Sequence, residues 1–388
     1  MPYYHGVEVI ELASGSRPIR TVASSVIGLI GTAPDADAGA FPLNTPVMVT
    51  GRTEAANLGN TGTLSAAVDG IFDQTGAVVV VVRVDEGADE TETLANVVGG
   101  VDAGTEERTG VHAFIDAQIE LNLVPRILIA PGWTHQRPGA SANPVVAELQ
   151  GLAERFRAVI FADCPNTTDA DAITYKNDWG SGLIRVLDPW VKVLSGETVV
   201  EEPLSARAAG LRAKVDNEKG FWWSDSNQVI NGIIGTARPI DYIPGDSSSR
   251  ANYLNENNIT TVIRLDGYRL WGGRTTSADP VWSFLSVRRT AHIIEDSIQR
   301  GHLWAIDRPI TKTYVEDVAE GVNAYLRSLE AQGAILGGEC VPNNELNTSE
   351  NIEAGKVYFD FDFRPPTDAE HITFRASIND SYFERITS

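Results

Sequence analysis

The chain has 388 residues, with 31 Lys and Arg against 52 Asp and Glu, a formal net charge of −21. At 43% apolar residues it has enough to fill real cores, and it exceeds the roughly 100–200 residues of one ordinary domain, so two or three folded units are expected and wholesale disorder is excluded. So acidic a surface repels nucleic acid and anionic membranes, which removes both as main partners.

The first residues, Met1-Pro2-Tyr3-Tyr4-His5-Gly6, carry no basic stretch and no apolar core of the kind a signal peptide needs. Val7 and Val9 alternate with Glu8 and Ile10, a short strand pattern that Ser14-Gly15-Ser16-Arg17-Pro18 breaks. One short strand cannot bury itself, so it must pair with something outside its own segment.

From about residue 21 to 250, strand-like and helix-like runs alternate. Val22–Ile30 and Ala77–Val84 read as buried strands, with a helix over Leu64–Gln74 between them. Arg126–Ala130 is a strand stopped by Pro131-Gly132. Pro144–Phe156 reads as a helix with Pro in its first turn, where the missing N–H is harmless. Ala158–Asp163 and Leu183–Leu187 are strands around a helix over Asp169–Asn177. Such repetition predicts an α/β unit with a largely parallel sheet covered by helices. The stretch 188–250 is rich in Gly, Asn, Ser and Trp and reads as irregular.

The third zone runs from about 251. Thr260–Leu265 and Trp282–Val287 read as strands, followed by a helix from about Arg289 to Arg300 with Gly301 as its stop. Thr313 with Glu316 fits a capping box, and Val315, Val318, Val322, Leu326 and Leu329 form one apolar stripe. Val357, Phe359, Phe361 and Phe363 alternate with Tyr358, Asp360 and Asp362, a strand with one apolar and one acidic face. Pro365-Pro366 ends it. A second alternating run sets Ile372, Phe374, Ala376 and Ile378 against Thr373, Arg375 and Ser377.

Motifs for chemistry are scarce. There is no phosphate-cradling P-loop, no H-E-x-x-H and no G-x-S-x-G elbow. Cys164 and Cys340 make neither a metal spacing nor a disulfide framework. No cofactor is expected. Gly28-Leu29-Ile30-Gly31 follows a strand, but Pro34-Asp35 breaks the helix a dinucleotide turn needs. Asp85, Asp163 and Asp188 end strands, and Asp163 with Cys164 is the best catalytic pair on offer, but the favoured reading of it is a carboxylate capping the turn before Pro165 beside a small half-buried thiol. His292 and His302 read as surface or interface imidazoles. Phe221-Trp222-Trp223 reads as packing in an irregular region or at a subunit contact. Arg288, Arg289 and Lys312 stand out in an acidic chain, either as a solvated face or as a positive patch meeting an acidic partner.

The run Asp266-Gly267-Tyr268-Arg269-Leu270-Trp271-Gly272-Gly273-Arg274-Thr275 strongly resembles the tail sheath proteins of contractile-tailed phages and R-type pyocins. So do Gly301-His302-Leu303-Trp304-Ala305-Ile306-Asp307-Arg308, Phe221-Trp222-Trp223-Ser224 and Gly235-Thr236-Ala237-Arg238-Pro239. The resemblance is nearly end to end. It implies an outer α/β domain (21–250), an inner mixed α+β domain facing the tail tube (251–366), and extended β arms at the N terminus (1–20) and C terminus (367–388). The outer core of such proteins has been likened to a subtilisin-like fold, yet no Ser/His/Asp set can be placed here. Val7, Val9, Ile372, Phe374 and Ile378 are then the arm-strand residues lent to neighbouring copies, and Arg288, Arg289 and Lys312 the tube-facing basic candidates. The implied partners are other copies of the chain, the tail tube protein, and baseplate and terminator proteins, in a virion tail assembled in the host cytoplasm. The implied work is contraction of a helical sleeve, with no enzymatic step. Related contractile injection systems (pyocin, type VI, extracellular) and, further off, an α/β hydrolase are the competing readings.

Overall fold

A computed structural model of the chain describes residues 18–379 and Tyr382. The sheet body starts with β1 (Ile27–Thr32), β2 (Pro46–Val49), the short α1 (Arg52–Ala55), α2 (Leu64–Phe72) and β3 (Val79–Val84). Then come α3 (Glu90–Val98), a small ribbon of β4 (Gly100–Val101) and β5 (Arg108–Thr109), α4 (Ala117–Glu120), β6 (Ile127–Ile129), α5 (Pro144–Phe156), β7 (Val159–Asp163), α6 (Asp169–Asn177) and β8 (Ile184–Leu187). The stretch expected to be irregular holds β9 (Val191–Ser195), β10 (Thr198–Glu202), α7 (Ser205–Glu218), β11 (Gly235–Thr236) and the start of α8 (Arg250–Glu256). β12 (Ile259–Arg264) and β13 (Tyr268–Trp271) follow, then α9 (Leu285–Gly301), α10 (Lys312–Ala331), β14 (Gly338–Pro342), α11 (Ser349–Glu353) and β15 (Phe359–Phe363).

Eight strands form one sheet in the order β13-β12-β8-β7-β6-β1-β3-β2. The six inner strands run parallel, and the two edge strands, β13 and β2, run antiparallel to their neighbours. The expected parallel sheet is therefore present. Its inner strands are near-continuous runs such as Val79-Val80-Val81-Val82 because both faces are covered. Alternate residues go to opposite faces. Ile30, Val80, Val82, Leu128, Ile160 and Val186 pack one side with α3, α5 and α6. Ile27, Leu29, Val81, Ile129 and Phe161 pack the other with α2 and α7.

The domain boundary expected at residue 250 cuts through this sheet. Ile259 and Thr260 lie beside Val186 and Leu187 in parallel register, so the sheet body runs on to Trp271. The strand expected at Trp282–Val287 is also corrected. Only an isolated bridge joins Phe284 to Arg274, and Leu285 already opens α9. The second correction has a local cause: an apolar run of this length suits a strand or a buried helix, and the neighbour decides which.

The missed α7 is buried nearly all round, including Arg207 and Arg212. A helix without a solvent face has no apolar stripe to read. Its small residues are the remaining signal. A Cβ on Gly210 would come within 2.6 Å of the Ile71 carbonyl oxygen, so α2 and α7 can approach this closely only with glycine there.

A third core lies beyond the sheet. Ile293 and Ile294 of α9, Val322, Tyr325, Leu326 and Leu329 of α10, and Cys340 of β14 enclose it, with Phe359 and Phe363 against its rim. Four of the five stripe residues of α10 are buried, Val315 only partly so, and the helix cap is Thr311, whose side chain accepts the Tyr314 N–H at 3.1 Å, rather than Thr313. β14 and β15 pair antiparallel as a sheet of two strands.

Candidate assembly surface

Val7 and Val9 lie outside the described residues. The first described segment runs along α9 and α10. Ile19 sits against Gly301, where a Cβ would come within 2.9 Å, and Val22 enters the third core. The Val22 N–H donates to Ser297 Oγ at 3.1 Å, and the Thr21 and Tyr325 hydroxyls lie 3.2 Å apart.

The other end is rooted near the start of α9. Ser286 Oγ donates to Asp368 at 2.9 Å, and Arg274 grips Glu370 through Nε at 2.9 Å and a second nitrogen at 2.5 Å. Past Glu370 the chain leaves the body. The alternating run forms no strand, contrary to its pattern, because no strand among the described residues lies beside it to pair with. Ile372, Phe374 and Ile378 are exposed, Phe374 by 91% and Ile378 by 97%.

The three basic candidates do not form one patch. Arg289 is corrected: it is only 3% exposed and its two terminal nitrogens bond Asp216 at 2.7 and 2.6 Å. Arg288 is half-buried with its guanidinium over the Trp282 ring, 4.5 Å from the centroid, and burial lowers its pKa. Adjacent helix residues point about 100° apart, so the two cannot share one outlook. Lys312, on α10, is 90% exposed on its side chain and 3.7 Å from Glu316.

Arg289 belongs to a buried charge network that joins the third unit to the sheet body. Arg212 Nε donates to Asp216 at 3.0 Å, and a second Arg212 nitrogen donates to the Trp223 carbonyl at 2.6 Å. Burial alone would raise the Asp216 pKa; Arg289 and Arg212 overcome it and hold it down to about 2. Nearby, Arg185 is fully buried, bonds both Asp225 oxygens at 2.8 Å, and also donates to Thr260 and the Gly272 carbonyl. Scattered over the sequence, these residues give no local motif. The one hint is that α7 sets arginines among alanines and glycine instead of on a polar face.

The catalytic candidates are structural. Asp163 accepts the Ser205 N–H at 2.9 Å and the Ser205 hydroxyl at 2.5 Å, all of it buried. Burial pushes its pKa up to about 6 against those bonds. Burial also drives the Cys164 thiol well above its usual range, so it is no nucleophile. His292 is not a surface imidazole. It is buried, and burial with the neighbouring arginines takes its pKa down to about 3. His302 Nδ1 sits 2.7 Å from the Ile298 carbonyl. Phe221 packs in the third core, edge-on to Trp222 at 5.1 Å, while Trp223 is half exposed. Among the described residues no three His, Cys, Asp or Glu side chains converge to hold a metal.

Comparison with known proteins covers the whole chain. The phage tail sheath protein central domain matches residues 74–276, the phage tail sheath C-terminal domain matches 277–379, and a domain III N-terminal region of tail sheath protein Gp18 matches 24–84. A prophage major tail sheath protein of Pseudomonas aeruginosa is 42% identical over 391 residues, covering 100% of this chain and 99% of that protein. The chain belongs to the phage tail sheath family. The tail sheath protein of Escherichia phage P2 is 36% identical over 399 residues, covering 100% of this chain and 98% of that one. The helical sheath of the anti-feeding prophage in its contracted state shares the fold at a TM-score of 0.74 and 21% identity, over 96% of this chain and 99% of that one. Tail sheath relatives are named for a structural part and not for a reaction, so the enzyme reading is set aside. The junction between the two larger matched regions, at 276–277, falls between the end of β13 and the start of α9.

Proposed function

We propose that this chain is the repeating subunit of a contractile tail sheath. Copies polymerise into a helical sleeve around the tail tube, and contraction of the sleeve drives the tube through the target envelope. The observation that carries this reading is the end-to-end match to tail sheath proteins. The geometry supports it, because the C-terminal run is patterned as a strand and pairs with no strand among the described residues. An added strand satisfies its own backbone groups and those of a sheet edge, so lending both ends ties each copy to its neighbours. The resulting chain of head-to-tail contacts is open, as a long sleeve requires.

In this reading Val7, Val9, Ile372, Phe374 and Ile378 are the lent strand residues. Lys312 and Arg288 remain the basic candidates for an acidic tube, and Arg289 does not. The baseplate starts contraction, a terminator closes the far end, and the tail is assembled in the host cytoplasm. Contraction needs no nucleotide: the extended sleeve is a trapped state, and new contacts between copies in the contracted state supply the difference. Negative-stain microscopy of the overexpressed protein tests the reading. Long ribbed tubes are expected; a uniformly monomeric preparation, or an ATP requirement for contraction of purified particles, would overturn it.

A further inference from the structure

The N-terminal segment runs backwards along α9. Ile19 faces Gly301, the Val22 N–H reaches Ser297, and the Ser24 carbonyl accepts from an Arg289 terminal nitrogen at 2.8 Å. The C-terminal root meets the same helix three residues before Arg289, where Ser286 Oγ donates to Asp368 at 2.9 Å. Residues three apart are neighbours on one face of a helix. Both chain ends are therefore fastened to one face of α9, by residues about 5 Å apart along its axis.

The two fastenings also close on each other through the sheet body. Arg289 bonds Asp216, and Asp216 holds Arg212. Arg212 donates to the Trp223 carbonyl. The next residue, Ser224, flanks Gly273 together with Asp368: a Cβ on Gly273 would lie 3.1 Å from Asp368 Oδ2 and 3.2 Å from Ser224 Oγ. The Gly273 carbonyl accepts the N–H of Leu285, the first residue of α9, at 2.9 Å. Ser286, Arg289, Asp216, Arg212, residues 223–224 and Asp368 thus form a ring, with Ser24 attached at Arg289.

The links of this ring differ in strength. Ser286, Arg212 and Arg289 are buried, so a bond broken there leaves a polar group without water to replace it. Two cations share the Asp216 carboxylate, the costliest place to open. Asp368 is the soft link. Among the described residues its Oδ2 is buried without a hydrogen-bond partner, and burial raises its pKa. It can leave Ser286 at far less cost than Arg289 can leave Asp216.

We infer that Ser286 and Arg289 are positioning residues for both chain ends, and that the ring through Asp216, Arg212 and Asp368 couples them, so that loosening one root loosens the other. The use of this coupling rests on the reading above, in which each end is lent to another copy. A pull on one end is then felt at the other within the same molecule.

Nitroxide spin labels test it on the full chain. Cys164 and Cys340 are buried while Ala23 and Ala369 are exposed, so Ala23→Cys and Ala369→Cys, made singly, each place one label at one root. Asp368→Ala removes the acceptor of Ser286 and is expected to raise the mobile fraction of the label at 23 about fivefold, the lower end of usual coupling strengths. Asp368→Asn keeps an acceptor and should leave that label unchanged. Coupling is mutual, so Val22→Asp, or the milder Val22→Ala, should free the label at 369 by loosening the N-terminal segment from the third core. Arg274→Ala is the control: it releases Glu370 outside the ring and should loosen the label at 369 alone. A label at 23 that ignores Asp368→Ala or responds equally to Arg274→Ala, or a label at 369 that ignores both Val22 variants, overturns the inference and leaves the sheath reading intact. Wild-type protein that forms no tubes counts against the sheath reading itself.

Discussion

The sheet body and the unit built on α9, α10, β14 and β15 bury their apolar surface in different ways. The body closes its own account: helices cover both faces of the inner strands. At the β13 edge, Asn227 donates to the Leu270 carbonyl at 2.6 Å and Ile230 to the Tyr268 carbonyl at 2.8 Å. The third unit keeps an exposed Phe361, a β15 that pairs with β14 alone among the described strands, and two chain ends rooted on or beside α9. On the proposed function, the body is the rigid part and the third unit the part that other copies complete. Along the 17 residues of α9, the root at Ser286 and the root at Ser297 and Gly301 lie about 17–22 Å apart at the usual rise per residue.

That contrast can be broken at four depths. The largest effect belongs to the body. Phe161 is fully buried on β7, beneath the Arg185 guanidinium, and Phe161→Ala should destabilise the fold by about 3–5 kcal/mol in denaturant unfolding. If it costs little, the body is not the tight core described.

Next is the joint between the two regions. Asp216→Ala strands Arg212 and Arg289 without their shared carboxylate, which should cost about 3 kcal/mol or more because two buried cations lose their partner. Arg289→Ala should likewise lower the unfolding midpoint, whereas Lys312→Glu should leave it unchanged. Equal tolerance at both positions would restore Arg289 as a surface residue.

A smaller, pH-dependent effect comes from Asp163, with its pKa raised from 3.8 to about 6. Above about pH 4 the unfolded chain gives up this proton while the folded chain still holds it, so folding loses stability as pH rises toward 6 and stays level beyond. Asp163→Asn removes that loss. The stability of the Asn variant relative to wild type should climb between pH 4 and 6 and then flatten; a constant difference across that window would show that the carboxyl is ionised throughout.

The smallest effect on folding is the most informative about assembly. Deleting residues 371–388 should change stability by less than about 0.5 kcal/mol, since the removed described side chains touch no core, yet abolish tubes. A truncated chain that still forms tubes would show that the C-terminal run is not a link between copies.

Much of the body was legible in the sequence. The runs ending in Val84 and Asp163 read as buried strands and are, Pro144–Phe156 announced its own first turn, and Val322, Leu326 and Leu329 of the α10 stripe face the third core. These signals are local: a period of two or 3.6 residues, a proline, a cap. The candidate surface was half legible. The C-terminal alternation marked a strand in need of a partner, but Arg288 and Arg289 could not be separated by composition, because their difference is a matter of which way a helix is turned.

By itself, then, the order of residues determined the parallel α/β layering, the stripe on α10 and the incomplete end, since each follows from spacing along the chain. Only the tertiary structure decided that Ile259–Arg264 joins the large sheet, that α7 is buried nearly all round, that Arg289 answers Asp216, and that Asn323 bonds both backbone groups of Cys340 on one edge of a two-stranded sheet. Those outcomes depend on groups far apart in sequence meeting in space, and no periodicity records which distant partner will be there.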